Sequence, residues 1–199
     1  MPRASQFCCY DIGMGAPQMI PLGYMLKHVT SPAPDWAVAP LVTAVHSVSN
    51  CVSPDFGNYI PIWQHNGWWF FDTADKARSA AETLGVPTET LSLFYYEAYH
   101  RQFDDTLSSW APFEPDDFPT AVVPPIAAIP SGFDVVTFAA GTSPECSPLS
   151  CNRLASSVAV NQRCLFHSFD EAQAVIESGG FRNTEPGPYR IIAVYLVDA

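Results

Sequence analysis

The residues with the clearest chemical potential lie together in the C-terminal third of the chain. Cys146 and Cys151 are separated by four residues, Cys164 follows after twelve more, and His167 after a further two. Zinc is commonly held by two such pairs of sulfur and nitrogen ligands, which form a tetrahedron. The spacing therefore makes these four residues a candidate zinc site.

Two other interpretations of the same residues are open. Cys151 could act as a nucleophile with His167 as its base, as a thiol-dependent hydrolase or transferase requires. Alternatively, the cysteines pack in the interior as small apolar side chains. We adopt this structural interpretation, because Cys164 and His167 lie three residues apart at a predicted strand and would face opposite sides. The expected protein then has no cofactor and no catalytic residue.

Composition and charge limit the classes of partner. The 199 residues include 9 Lys and Arg against 20 Asp and Glu, which gives a formal net charge of −11. Such a charge repels nucleic-acid phosphates and anionic membranes, and a hydrophobic content of 48% argues against disorder. The sequence shows neither the apolar run of a signal peptide nor a membrane-spanning stretch. We therefore expect a cytoplasmic protein with reduced cysteines.

Two parts of the chain resemble one another at an offset of 95 residues. Between 51–86 and 146–181, seven of 36 positions are identical without a gap, and Cys51 falls on Cys146. In both parts an apolar run typical of a strand precedes a capping residue (Thr73 or Ser168), a helical segment and glycine. This pattern predicts an internal duplication.

The predicted fold class is α+β, with two similar small modules at 1–103 and 131–199. Each module is expected to contain an antiparallel-rich sheet covered by one helix. The predicted strands span 24–29, 67–71, 91–96, 133–138, 163–166 and 189–196, and the predicted helices span 74–84 and 169–178.

Residues 104–130, between the modules, differ from both in composition. They include six prolines and five acidic residues but no Lys or Arg. Proline disfavours a helix or a central strand, and aromatic side chains would anchor the segment across the surface. We expect an acidic linker or strap that contacts a partner protein. The candidate partner-binding residues are Trp68, Trp69, Asp104, Asp105, Trp110, Asp116 and Asp117.

The stretch from Cys146 to Ala172 contains C-S-P-L-S-C-N followed by V-N-Q-R-C-L-F. It resembles a segment of uncharacterised bacterial proteins, which implies a bacterial or phage origin and brings no activity with it. The acidic charge favours binding of a basic protein, as by an inhibitor or an immunity or antitoxin-like protein. The alternative is a zinc-binding or cysteine-dependent enzyme that uses the four residues Cys146, Cys151, Cys164 and His167.

Overall fold

The part of the chain that the structure describes contains five β-strands and two α-helices, which confirms the predicted α+β class. This computed structural model describes residues 17–29, 31, 41–54, 70–113, 121–137 and 146–198. The elements in chain order are β1 (Met19–His28), α1 (Ala74–Thr83), β2 (Leu91–Asp104), β3 (Ser109–Pro112), β4 (Ile129–Thr137), a 3-10 turn (Leu154–Ser156), α2 (Phe169–Glu177) and β5 (Tyr189–Asp198). Neither α-helix in these ranges is long and apolar enough to cross a lipid bilayer.

The described strands form one antiparallel sheet. Its order is β1-β2-β5-β4, and β3 pairs with the C-terminal end of β2. Strands β2 and β5 belong to different predicted modules, yet they pair with each other from Leu93 to Phe103 of β2. The two halves therefore share a single sheet, whereas the sequence pattern predicts one sheet in each. Pairing β2 with β5 satisfies backbone groups that would otherwise be exposed at two sheet edges.

Both helices begin where the sequence predicts a capping residue. Thr73 precedes α1, and its side chain accepts a hydrogen bond from the backbone N–H of Lys76. Ser168 precedes α2 and accepts one from the backbone N–H of Glu171, whose carboxylate in turn accepts from the backbone N–H of His167 at 2.9 Å. These bonds satisfy amides that the first turn of a helix leaves without partners.

Each helix buries one side against the core. α1 buries Ala77 and Ala81, which lie four residues apart and so on one face. α2 buries Phe169, Ala172 and Ile176. Because burying a Phe or Ile side chain contributes about 1.5–3 kcal/mol, side-chain packing stabilises α2 more than it does α1.

Both outer strands of the sheet are irregular at a Pro-x-Gly sequence. In β1 the register shifts between Pro21 and Gly23, and in β4 it shifts between Pro130 and Gly132. Both glycines have positive φ, 125° for Gly23 and 137° for Gly132. The residue after each glycine then forms an isolated bridge to a phenylalanine that precedes a helix, Tyr24 with Phe71 and Phe133 with Phe166.

Candidate functional site

Three cysteine thiols converge at one place. The Sγ atoms of Cys51, Cys146 and Cys151 all lie within 4.8 Å of one another, with Cys51 exposed and the other two half-buried. Cys146 and Cys151 belong to the set predicted from the sequence, but Cys51 does not. The missed signal is a shared spacing, since Ser47 precedes Cys51 by four residues, as Ser147 precedes Cys151.

The structure does not bring Cys164 and His167 to this cluster. Cys164 is 2% exposed and packs in the core, while His167 is exposed and lines a surface cavity. The predicted strand over 163–166 is instead a turn that ends in the single bridge of Phe166. No hydrogen bond joins Cys151 to His167 in the described part of the chain, so the nucleophile–base pair considered above is not assembled.

A buried carboxylate on β4 joins the two loops that carry these cysteines. Asp134 is fully buried. Its Oδ2 accepts hydrogen bonds from the hydroxyl of Ser47 at 3.2 Å and the backbone N–H of Val48 at 2.9 Å. Its Oδ1 accepts from the hydroxyl of Ser147 at 2.6 Å and the backbone N–H of Val135 at 2.9 Å. One side chain therefore holds the 47–51 loop of the first half and the 147–151 loop of the second.

Further hydrogen bonds lead from this carboxylate towards the sulfur atoms. The Ser49 hydroxyl lies 3.5 Å from the Sγ of Cys151 and accepts from the backbone N–H of Cys51 at 3.2 Å. The Ser150 hydroxyl donates to the Ser47 hydroxyl at 3.3 Å. These hydrogen bonds connect the 47–51 loop to the 147–151 loop. They therefore hold the backbones that carry Cys51 and Cys151 in fixed positions.

Burial governs the ionisation of the groups around the site. Desolvation raises the pKa of Asp134, although its four hydrogen bonds act in the opposite direction. The pKa of the Cys146 thiol is also raised, first by burial and then by the neighbouring Cys151, Cys51 and Glu185. Burial, with Asp134 nearby, raises the pKa of Cys164 to about 12. Cys146 and Cys164 are therefore neutral thiols near pH 7, and metal binding at Cys146 has to release a proton.

The residues predicted to bind a partner have local structural roles where they are described. The Asp104 carboxylate accepts from the backbone N–H of Leu107 in the β2–β3 turn, and that of Asp105 accepts from the backbone N–H of Gly187. The indole N–H of Trp110 donates to Glu177 at 2.8 Å. The remaining predicted partner-binding residues lie outside the described residues: Trp68, Trp69, Asp116 and Asp117.

Comparisons with known proteins do not identify this arrangement. No protein-family model, no curated protein and no solved structure matches the chain. The function is therefore inferred from the chemistry of the thiol cluster and of the surfaces around it.

Proposed function

We propose that the chain binds a thiophilic metal ion, with zinc as the reference ion, through Cys51, Cys146 and Cys151. The observation that carries this proposal is the convergence of three Sγ atoms within 4.8 Å of one another. With Zn–S bonds of about 2.3 Å, sulfurs at the corners of a tetrahedron lie about 3.8 Å apart. Side-chain rotations that move each sulfur by less than about 1 Å are therefore sufficient to complete the ligand set.

Three protein ligands leave one coordination position open. Structural zinc sites usually have four protein ligands, whereas catalytic sites keep a position for water or substrate. Exposed Cys51 gives solvent access to the cluster, and the Glu185 carboxylate is close enough to raise the pKa of Cys146. Water in the fourth position gives the site the composition of a Lewis-acid centre, whereas Glu185 in that position would close the ligand set. Because thiolate ligands must stay reduced, the proposal also places the protein in the cytoplasm.

We expect the reduced protein to bind one equivalent of zinc. Each of the variants Cys51→Ser, Cys146→Ser and Cys151→Ser loses a thiolate ligand and should weaken the affinity by more than the roughly 10- to 100-fold typical of losing a residue that only supports a ligand. Competition with a chromophoric chelator measures the affinity for zinc. Bound zinc should also slow the reaction of all three cysteines with a thiol reagent. The affinity should fall as the pH falls, because protons compete for the thiolates.

Cys164→Ala is the matched control for these variants, since it removes a thiol that lies outside the cluster. Its zinc affinity should equal that of the unaltered chain. A stoichiometry below about a tenth of an equivalent, or an equal loss in Cys164→Ala, would contradict the proposed site.

A second candidate function, binding of a basic partner protein, is favoured by the proline-rich segment 121–130. Val123, Ile126 and Ile129 in this segment are 58%, 108% and 57% exposed. Exposed apolar side chains in one short segment are typical of a contact surface. The net charge of −11 favours a basic partner, such as the target of an inhibitor or an immunity or antitoxin-like protein.

The charge reversal of Asp104, Asp105, Asp116 and Asp117 to Lys tests this second function. We expect weaker binding of the co-purified partner and a smaller dependence of its affinity on salt, because attraction to a basic surface is lost. Native mass spectrometry identifies the partner, and a binding titration at two salt concentrations gives both quantities. Ile126→Ser should also weaken binding, whereas Leu41→Ser, another exposed apolar residue, should not. Unchanged affinity in both test variants would eliminate this surface.

We further propose that the two halves are copies of one duplicated module. The Pro-x-Gly irregularities, the bridged phenylalanines and the capped helices occur in the same order in both halves. Gly23 pairs with Tyr96, Gly132 pairs with Val194, and Tyr96 pairs with Val194. This register supports an approximate two-fold axis between β2 and β5. A relative with a single module that dimerises through its last strand would support the duplication, and one that pairs through another strand would oppose it.

A further inference from the structure

Two adjoining cavities lie beside the irregular start of β4, away from the cysteine cluster. One has a volume of about 240 Å³ and the other about 400 Å³, and they share Asn161, Arg163 and His167. We propose that they bind a small aromatic organic anion. Its carboxylate or phosphate contacts Arg163 and His167, and its ring lies against Phe133 and Tyr195, which line the smaller cavity.

The charge around these cavities differs from that of the chain as a whole. Although the net charge is −11, none of the described residues that line either cavity carries a carboxylate. Arg163 thus brings a positive charge to a lining without carboxylates, although Glu171 and Glu97 bond two of the lining residues from outside it, and this charge attracts an anion.

The Arg163 guanidinium is available to a ligand. Its one described side-chain hydrogen bond goes from Nη1 to the backbone oxygen of Pro130 at 3.2 Å. By contrast, Lys76 is paired with Asp72 and Arg78 with Asp75. No carboxylate pairs with Arg163 within the described ranges, so donors remain that can bind an oxyanion in a bidentate manner.

His167 is exposed, and its ring has no hydrogen-bond partner among the described residues. The nearest acidic contact is Glu171, whose carboxylate accepts from the backbone N–H of His167 at 2.9 Å. Glu171 therefore bonds the backbone of His167 and not its ring, which leaves the imidazole able to donate a hydrogen bond to a ligand.

The site is held in place before any ligand arrives. The Asn161 side chain donates to the backbone oxygen of Ser131 at 2.8 Å and accepts from the backbone N–H of Arg163 at 2.8 Å. Ser131 also lines the smaller cavity, and its buried hydroxyl has no hydrogen-bond partner in the described part of the chain.

The size and lining of the cavities favour an aromatic acid over a free inorganic ion. Phe133 and Tyr195 are both partly exposed and supply aromatic surface. Pockets for small molecules typically combine such a lining with a few convergent polar groups. An inorganic ion would contact only the polar groups and leave the apolar surface uncovered.

Isothermal titration with four probes tests the proposal. Phenyl phosphate and benzoate should bind, inorganic phosphate should bind more weakly, and neutral benzyl alcohol should bind weakest because it carries no charge. Whichever of the first two binds more tightly identifies the acidic group. Arg163→Gln should weaken their binding by about tenfold or more, and Arg163→Lys, which keeps the charge, by less.

Arg182→Gln is the matched control, because Arg182 lines a different cavity at the end of α2. It should leave the affinity for phenyl phosphate unchanged, as should Cys51→Ser, which separates this proposal from metal binding. Thermal melting of each variant verifies its fold. Equal binding of benzyl alcohol and benzoate, or equal affinities of Arg163→Gln and the unaltered chain, would overturn the proposal.

Discussion

Asp134→Asn is expected to lower the free energy of unfolding by about 3 kcal/mol, because it disrupts a fully buried hydrogen-bond network. The two carboxylate oxygens each accept from a different backbone amide, Oδ2 from Val48 and Oδ1 from Val135. Whichever oxygen becomes NH₂ then faces an N–H that cannot reverse its direction, whereas the hydroxyls of Ser47 and Ser147 can rotate. Urea unfolding of the two proteins measures the difference.

The same variant should also weaken zinc binding by about 10- to 100-fold, because it releases the loops that present the thiols. Asp105→Asn provides the control, since its exposed carboxylate receives a single backbone hydrogen bond and should change unfolding by less than about 1 kcal/mol. Full retention of zinc affinity in a folded Asp134→Asn protein would show that the carboxylate does not position the cysteines.

Gly132→Ala should lower the free energy of unfolding by about 3 kcal/mol or more. Gly132 has a φ of 137°, and a Cβ there would lie 2.7 Å from the backbone oxygen of Phe166. That oxygen cannot move aside easily, because Phe133 and Phe166 exchange two backbone hydrogen bonds of 3.0 and 2.9 Å. Denaturant unfolding measures the loss of stability.

Gly85→Ala separates the effect of the clash from that of the backbone conformation. Gly85 also has positive φ, 64°, but a Cβ there would meet no atom within 4 Å. We expect a loss of about 1 kcal/mol, which is the conformational cost alone. Similar losses in the two variants would mean that the backbone at Phe166, before α2, moves easily to accommodate a Cβ at residue 132. That result would contradict the rigid cavity lining inferred around Arg163.

Local signals in the sequence were sufficient for the two helices but not for every strand, since the strand predicted over 163–166 is a turn and β3 was not predicted. The helix predicted over 74–84 is observed at Ala74–Thr83, because its N-cap and following glycine act within one turn. The strand predicted over 91–96 was too short, since β2 continues to Asp104. Residues 97–104, which continue this strand, lack the apolar run that marks 91–96. They form a strand because β3 and β5 supply hydrogen-bond partners for their backbone.

The cysteine site was only partly accessible to sequence reasoning. Cys146 and Cys151 were recognised from their spacing, because both lie in one short loop. Cys164 and His167 were grouped with them on linear distance alone, whereas the positive φ of Cys164, 62°, belongs to a turn that a strand pattern does not predict. Cys51 is far from Cys146 in the chain. It aligns with Cys146 at the offset of 95 residues and shares a spacing to serine with Cys151, but neither pattern indicates that the three thiols meet.

By itself, the sequence determined the α+β class, the two helices with their caps and the acidic charge, since these depend on local pattern and composition. The tertiary structure alone decided that β2 and β5 join the halves in one sheet, because pairing between distant strands has no local signature. It also decided which thiols meet. The thiols meet because the buried Asp134 carboxylate accepts hydrogen bonds from both the 47–51 loop and the 147–151 loop, which holds these loops side by side.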